Sequence, residues 1–90
     1  MSATFPGQER GRHMGELKRG DEQWDVYLET QPDGELGAVR GRIHFLGGGR
    51  HRATSWVFLE KLERDVVERF GEFSPMELWR FVAALDDQVV

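Results

Sequence analysis

The chain contains no cysteine, which excludes a disulfide frame, a thiolate zinc site and a cysteine nucleophile. Small secreted domains usually depend on such cross-links, so their lack points to a reducing, cytoplasmic setting. Long apolar runs are also missing. No stretch approaches the about 20 residues of a membrane-spanning helix, and the amino terminus carries no apolar core of signal-peptide length. The expectation is a soluble, unprocessed protein without membrane contact. At 90 residues a second domain has no room, and one core that buries about 60 % of the unfolded surface must suffice.

Positive charge is in the minority, with 12 Lys+Arg against 16 Asp+Glu for a net charge of -4. The balance is segmental: residues 1–19 carry +2, 20–37 carry -6, 38–53 carry +4 and 54–90 carry -4. The block 38–53 holds Arg40, Arg42, Arg50 and Arg52 with no acid, together with His44 and His51. Arg rather than Lys suits bidentate contacts to phosphate or carboxylate, but genome base composition alone produces the same bias.

Residues 1–20 show no sustained period of 2 or 3.6 around Gly7, Gly11, Gly15 and Gly20, and read as a mobile arm before a single domain, 21–90. From there Trp24, Val26 and Leu28 alternate with Asp25, Tyr27 and Glu29, which predicts a half-buried strand over 22–30. Gln31-Pro32-Asp33-Gly34 has turn chemistry. A second strand, 38–46, sets Val39, Gly41, Ile43 and Phe45 on one face and Arg40, Arg42 and His44 on the other. After Gly47-Gly48-Gly49 a third strand, 53–60, is apolar on both parities. One register sets Gly41 against Trp56 and Val39 against Phe58 in the core; a one-residue slip turns Val57 and Leu59 inward and leaves Trp56 beside Arg40. The first buries more apolar surface and is preferred.

The last third predicts two helices. Leu62, Val66 and Phe70 recur at helical spacing over 61–70, and Gly71 ends the run. Ser74-Pro75-Met76-Glu77 then matches a capping box with Pro at the first helical position, opening a helix over 75–87 with Leu78, Val82 and Leu85 as its stripe. The expected fold is α+β: a three-stranded antiparallel sheet, order βββαα, with both helices on one face.

Catalytic groups are scarce. Ser74 is used by its cap, Ser55 lies inside a strand and Ser2 in the arm, so no nucleophile with an adjacent base stands out. His13, His44 and His51 have no recognised metal-ligand spacing. Asp25 and Glu29, about 13 Å apart along a strand, are too distant for a paired-carboxylate mechanism. The glycine run leads into a strand, whereas phosphate loops lead into a helix. No catalytic residue, metal, cofactor or small-molecule substrate is inferred.

One constellation carries interest: Arg40, Arg42 and His44 on the open sheet face, Arg50, His51 and Arg52 at the hairpin tip, and Tyr27 nearby. Bases with an aromatic on a sheet suit single-stranded nucleic acid, while the plainer reading pairs Arg40 and Arg42 with Asp25 and Glu29. Acidic flanks oppose a long polyanion. Surplus apolar surface at Val57, Leu59, Trp79 and Phe81, with two open sheet edges, favours a non-enzymatic protein-interaction module or accessory subunit, docking a protein partner or forming a homodimer. Single-stranded nucleic-acid binding through 40–52 is the alternative.

Overall fold

Alternation of apolar side chains builds the centre of the sheet. In the computed structural model, which describes residues 10–88, the elements are β1 (Gly11–Arg19), β2 (Glu22–Asp33), β3 (Ala38–Gly47), β4 (Arg50–Ala53), β5 (Phe58–Glu60), α1 (Glu63–Gly71) and α2 (Pro75–Ala84). The sheet is antiparallel, in the order β1-β2-β3-β4, and β5 pairs with β3 beyond the end of β4. Trp24, Val26 and Leu28 of β2 and Ile43 and Phe45 of β3 are buried, as their spacing requires, against Val66 and Phe70 of α1 and Leu78 and Val82 of α2. The fold is thus α+β, with the two helices after the strands, but the sheet is larger than the expected three strands.

The first additional strand replaces part of the expected mobile arm. Residues 1–9 lie outside the described residues, but Gly11–Arg19 pairs with β2 and buries Leu17. A bulge at Met14, between His13 and Gly15, hides its period by switching the inward parity midway. Gly15 there has φ 151°, a conformation that favours glycine. Arg19 closes the end of the strand over the Trp79 ring of α2, 4.2 Å from its centroid.

The second comes from splitting the expected strand 53–60. The two-residue turn Gly48-Gly49, with φ 56° and 78°, is the tight hairpin that two positive φ values permit. It sets His44 opposite Ala53 and Phe45 opposite Arg52. Thr54 then ends the ladder: its N–H donates to Ile43 O (2.9 Å), while its Oγ1 accepts from Ile43 N–H (3.0 Å) where a backbone carbonyl would stand. Pairing resumes two residues out of step, with Phe58 opposite Gly41 and Leu59 opposite Arg40. Phe58, not Trp56, therefore covers the strand glycine, and a Cβ at Gly41 would stand 2.5 Å from Val66 Cγ1. Trp56 lies instead beside Arg42 and Arg40, at 4.4 and 5.3 Å from ring centroid to guanidinium carbon. The preferred register holds next to the turn, and the slipped one correctly places Trp56.

The β2–β3 turn falls later than Pro32: β2 runs to Asp33, whose carboxylate accepts from the Glu35 and Leu36 N–H groups. Among the described residues β1 pairs no further than Glu29, so none of them on that side needs the N–H that Pro32 lacks. α2 starts as expected: Ser74 Oγ accepts from Glu77 N–H (3.2 Å) and Glu77 Oε1 from Ser74 N–H (2.9 Å). Ser74→Ala is expected to cost about 1 kcal/mol, read as a lower urea midpoint at unchanged slope; an unchanged midpoint would contradict this role. The helix ends at Ala84, short of the expected 87, and residues 85–88 turn back toward β4.

Candidate functional site

Strand alternation places Tyr27 and Glu29 of β2 with Arg40, Arg42 and His44 of β3 on the face away from the helices, and His51 of β4 joins them. Arg50 and Arg52 have the opposite parity and point to the helical side. Their guanidinium carbons lie 4.5 and 4.9 Å from the Trp24 ring, and Arg52 also donates to Val82 O (2.6 Å) and Asp87 Oδ1 (2.7 Å). The expected cluster of seven is therefore divided between two faces. Pleat alone separates Arg50 and Arg52 from His51, once the turn length is fixed.

On the open face the central group is Glu29, only 4 % exposed. Its Oε1 accepts from Arg42 Nε and from His44 Nε2, both at 2.7 Å. His44 is itself buried, and its Nδ1 stands 2.8 Å from His51 Nε2, with the rings stacked at 22°. As a carboxylate Glu29 can only accept, so His44 carries its proton on Nε2; a neutral His44 then accepts at Nδ1, and His51 donates from Nε2. The direction is His51 to His44 to Glu29. Burial pushes His44 below the ordinary imidazole range, opposed by the Glu29 hydrogen bond and charge and aided by Arg42 and His51. Burial and the Arg42 charge also lower His51.

Partners across the strands meet Arg42, Arg40 and Asp25 on the open face. Arg42 pairs with Glu29 as expected, but Arg40 lies 3.7 Å from Asp33, and Asp25 pairs with His13 at 3.1 Å. Tyr27 stands opposite His44 and meets the His13 ring edge-on at 5.0 Å. The buried Nε of Arg40 makes no hydrogen bond, the Asp33 carboxylate being too far for one. Among the described residues no group of three or more His, Asp or Glu side chains is arranged to hold a metal ion, and no helix is long and apolar enough to cross a membrane.

A different surface is left uncovered. β5 pairs with β3 on one side, and against it Val57 and Leu59 are 45 % and 54 % exposed, with Leu62 at 48 % just before α1. Beside it opens a groove of about 580 Å³, with Phe58 and Phe73 among its apolar lining residues and Glu60, Glu72, Glu77 and Arg69 among its charged ones. Phe73 is fixed there by edge-on contacts with Phe58 and Phe81, at 5.9 and 5.5 Å. Arg69 spans Glu60 and Glu72 at 3.6 and 3.7 Å, and Glu77 adds a third carboxylate to the groove lining. Sequence marks Val57 and Leu59 as surplus, but only the αα-hairpin brings Phe73 and the acidic residues beside them. Compared with protein-family models, with curated proteins and with solved structures, the chain matches none.

Proposed function

We propose that the chain is a small, non-enzymatic protein-interaction module that receives an extended segment of a partner along β5. The carrying observation is the exposure of Val57 and Leu59 beside the groove lined by Phe58 and Phe73. An added strand would pair with the outer side of β5 while its alternate side chains cover the apolar surface. The surplus of Glu60, Glu72 and Glu77 over Arg69 favours a segment carrying Lys or Arg beside an apolar residue. A second copy of the chain presenting its own edge would be a homodimer built on the same surface.

Selection of a random peptide display library on the full chain is the test. Enriched sequences should combine an apolar residue with Lys or Arg, and Leu59→Glu should weaken them by at least about tenfold, or about 1.4 kcal/mol. Binders that are acidic, or indifferent to Leu59→Glu and Phe73→Lys, would contradict the reading. Light scattering over a concentration range separates a self-associating edge from a heterologous one.

The nucleic-acid alternative gains a second aromatic, Trp56, beside Arg40 and Arg42. Against it, both arginines have carboxylate partners, and Arg50 and Arg52 face the other way. A fluorescent single-stranded oligonucleotide is expected not to bind even at low salt. Binding that weakens with salt and is lost in Arg40→Ala would move the function to that face.

A further inference from the structure

The carboxyl-terminal segment is attached to the sheet through β4. Arg52 holds the end of α2 by its bond to Val82 O and holds Asp87 by an ion pair, and the Gln88 N–H donates to His51 O (2.6 Å). β4 is only four residues long and, among the described residues, pairs with β3 alone. From the open face, His51 is tied to β3 by its bond to His44. One imidazole pair thus backs the strand from which residues 85–88 hang.

We propose that the His44–His51 pair is an acid-operated latch: a second proton taken up by the pair breaks its hydrogen bond, loosens β4 and releases residues 85–88 from His51 and Arg52. The first proton goes to His51 Nδ1 and leaves its Nε2–H donating as before. The second has only His44 Nδ1 to occupy, the nitrogen that accepts that bond. Two N–H groups would then face each other at a separation that fits one hydrogen.

The surrounding charges set how readily this happens. Glu29 of β2 supports a charged His44, Arg42 on β3 opposes charge on both rings, and each ring opposes charge on the other through their contact. Tyr27 of β2 stands opposite His44. Burial, together with the neighbouring Arg42 and His51, outweighs Glu29 at His44, and burial and Arg42 act the same way on His51, so both rings are harder to protonate in the closed state than in an open one. The sign follows: the open state binds protons more readily, starting near the ordinary imidazole value of about 6.5. The closed state is fully favoured above that value and loses its advantage as the pH falls from it toward the depressed values of the pair.

The test is NMR on the full chain from about pH 7.5 to about pH 5, following imidazole nitrogens and amide exchange together. At the upper end both rings should carry hydrogen on Nε2. As they titrate, protection of Gln88 N–H and the β4 amides should fall by on the order of tenfold for each unit by which the pair is depressed, while the paired amides of β2 and β3 keep theirs. His51→Phe keeps a ring in the stack without a titrating nitrogen and should abolish the dependence in this range. Asp87, the acid paired with Arg52, is excluded as the cause if Asp87→Asn retains it. Titration of both histidines in the parent with unchanged protection at Gln88 and β4 would overturn the proposal without any variant, as would an identical acid response in His51→Phe.

Discussion

Replacing Glu29 with alanine is expected to lower the unfolding free energy by about 3–5 kcal/mol, the cost of breaking a buried ion pair by removing one partner. The side chain is almost wholly buried and is the shared acceptor of Arg42 Nε and His44 Nε2. Alanine strips that acceptor from two donors at once, whereas their desolvation remains. Because the penalty comes from what is left unpaired, Glu29→Met combined with His44→Leu should cost much less than the sum of the single changes. Urea midpoints at constant slope are the readout. A loss under about 1 kcal/mol for Glu29→Ala would show that the pair behaves like an exposed one, and that water reaches it.

The second large effect belongs to Trp24. It is fully buried, its Nε1–H donates to Glu22 Oε2 (2.8 Å), and Arg50 and Arg52 cover its ring. Trp24→Ala should cost about 3–5 kcal/mol through lost burial and the cavity left behind. The same packing makes Gly47 intolerant of a side chain, because a Cβ there would run into the Gln23 carbonyl and stand 3.2 Å from the indole. A carbonyl fixed in a strand cannot step aside as a flexible side chain would, so Gly47→Ala should cost about 1–3 kcal/mol. Calorimetry or urea unfolding of the two variants checks both, and a neutral Gly47→Ala would mean that β2 and β3 separate more easily than this packing allows.

These two sites differ in how far they could be read from sequence. Trp24, Val26 and Leu28 announce their burial by a period of two, and Ser74-Pro75-Met76-Glu77 announces α2, because both signals come from residues near in sequence. Glu29 sits on the parity that alternation assigns to solvent. Its burial arises from Arg42 and His44 closing over it, with His51 backing His44, which requires the pairings of β2 with β3 and of β3 with β4 at once. β1 was hidden by the parity switch at its Met14 bulge, and the break after Ala53 by a hydroxyl standing in for a carbonyl. Neither leaves a local pattern, since each depends on what lies across the ladder. The expected basic cluster is divided for a simpler reason: residues close in sequence around a tight turn alternate between faces, so Arg50 and Arg52 do not share one surface with Arg40 and Arg42.

The exposed apolar surface along β5 was legible in part. Val57 and Leu59 are apolar on the parity that leaves the core, and their exposure follows. What sequence could not supply is the groove beside them, since Phe73 and Glu77 belong to the helical hairpin and reach β5 only through tertiary packing.

The most direct measurement is a map of amide shifts and exchange on adding an apolar peptide flanked by Lys or Arg, selected on the full chain. Docking along β5 predicts new protection at amides of Phe58–Glu60 and shifts at Val57 and Phe73, all lost in Leu59→Glu. Changes centred on Arg40, Arg42 and Trp56, with β5 amides unaffected, would contradict it.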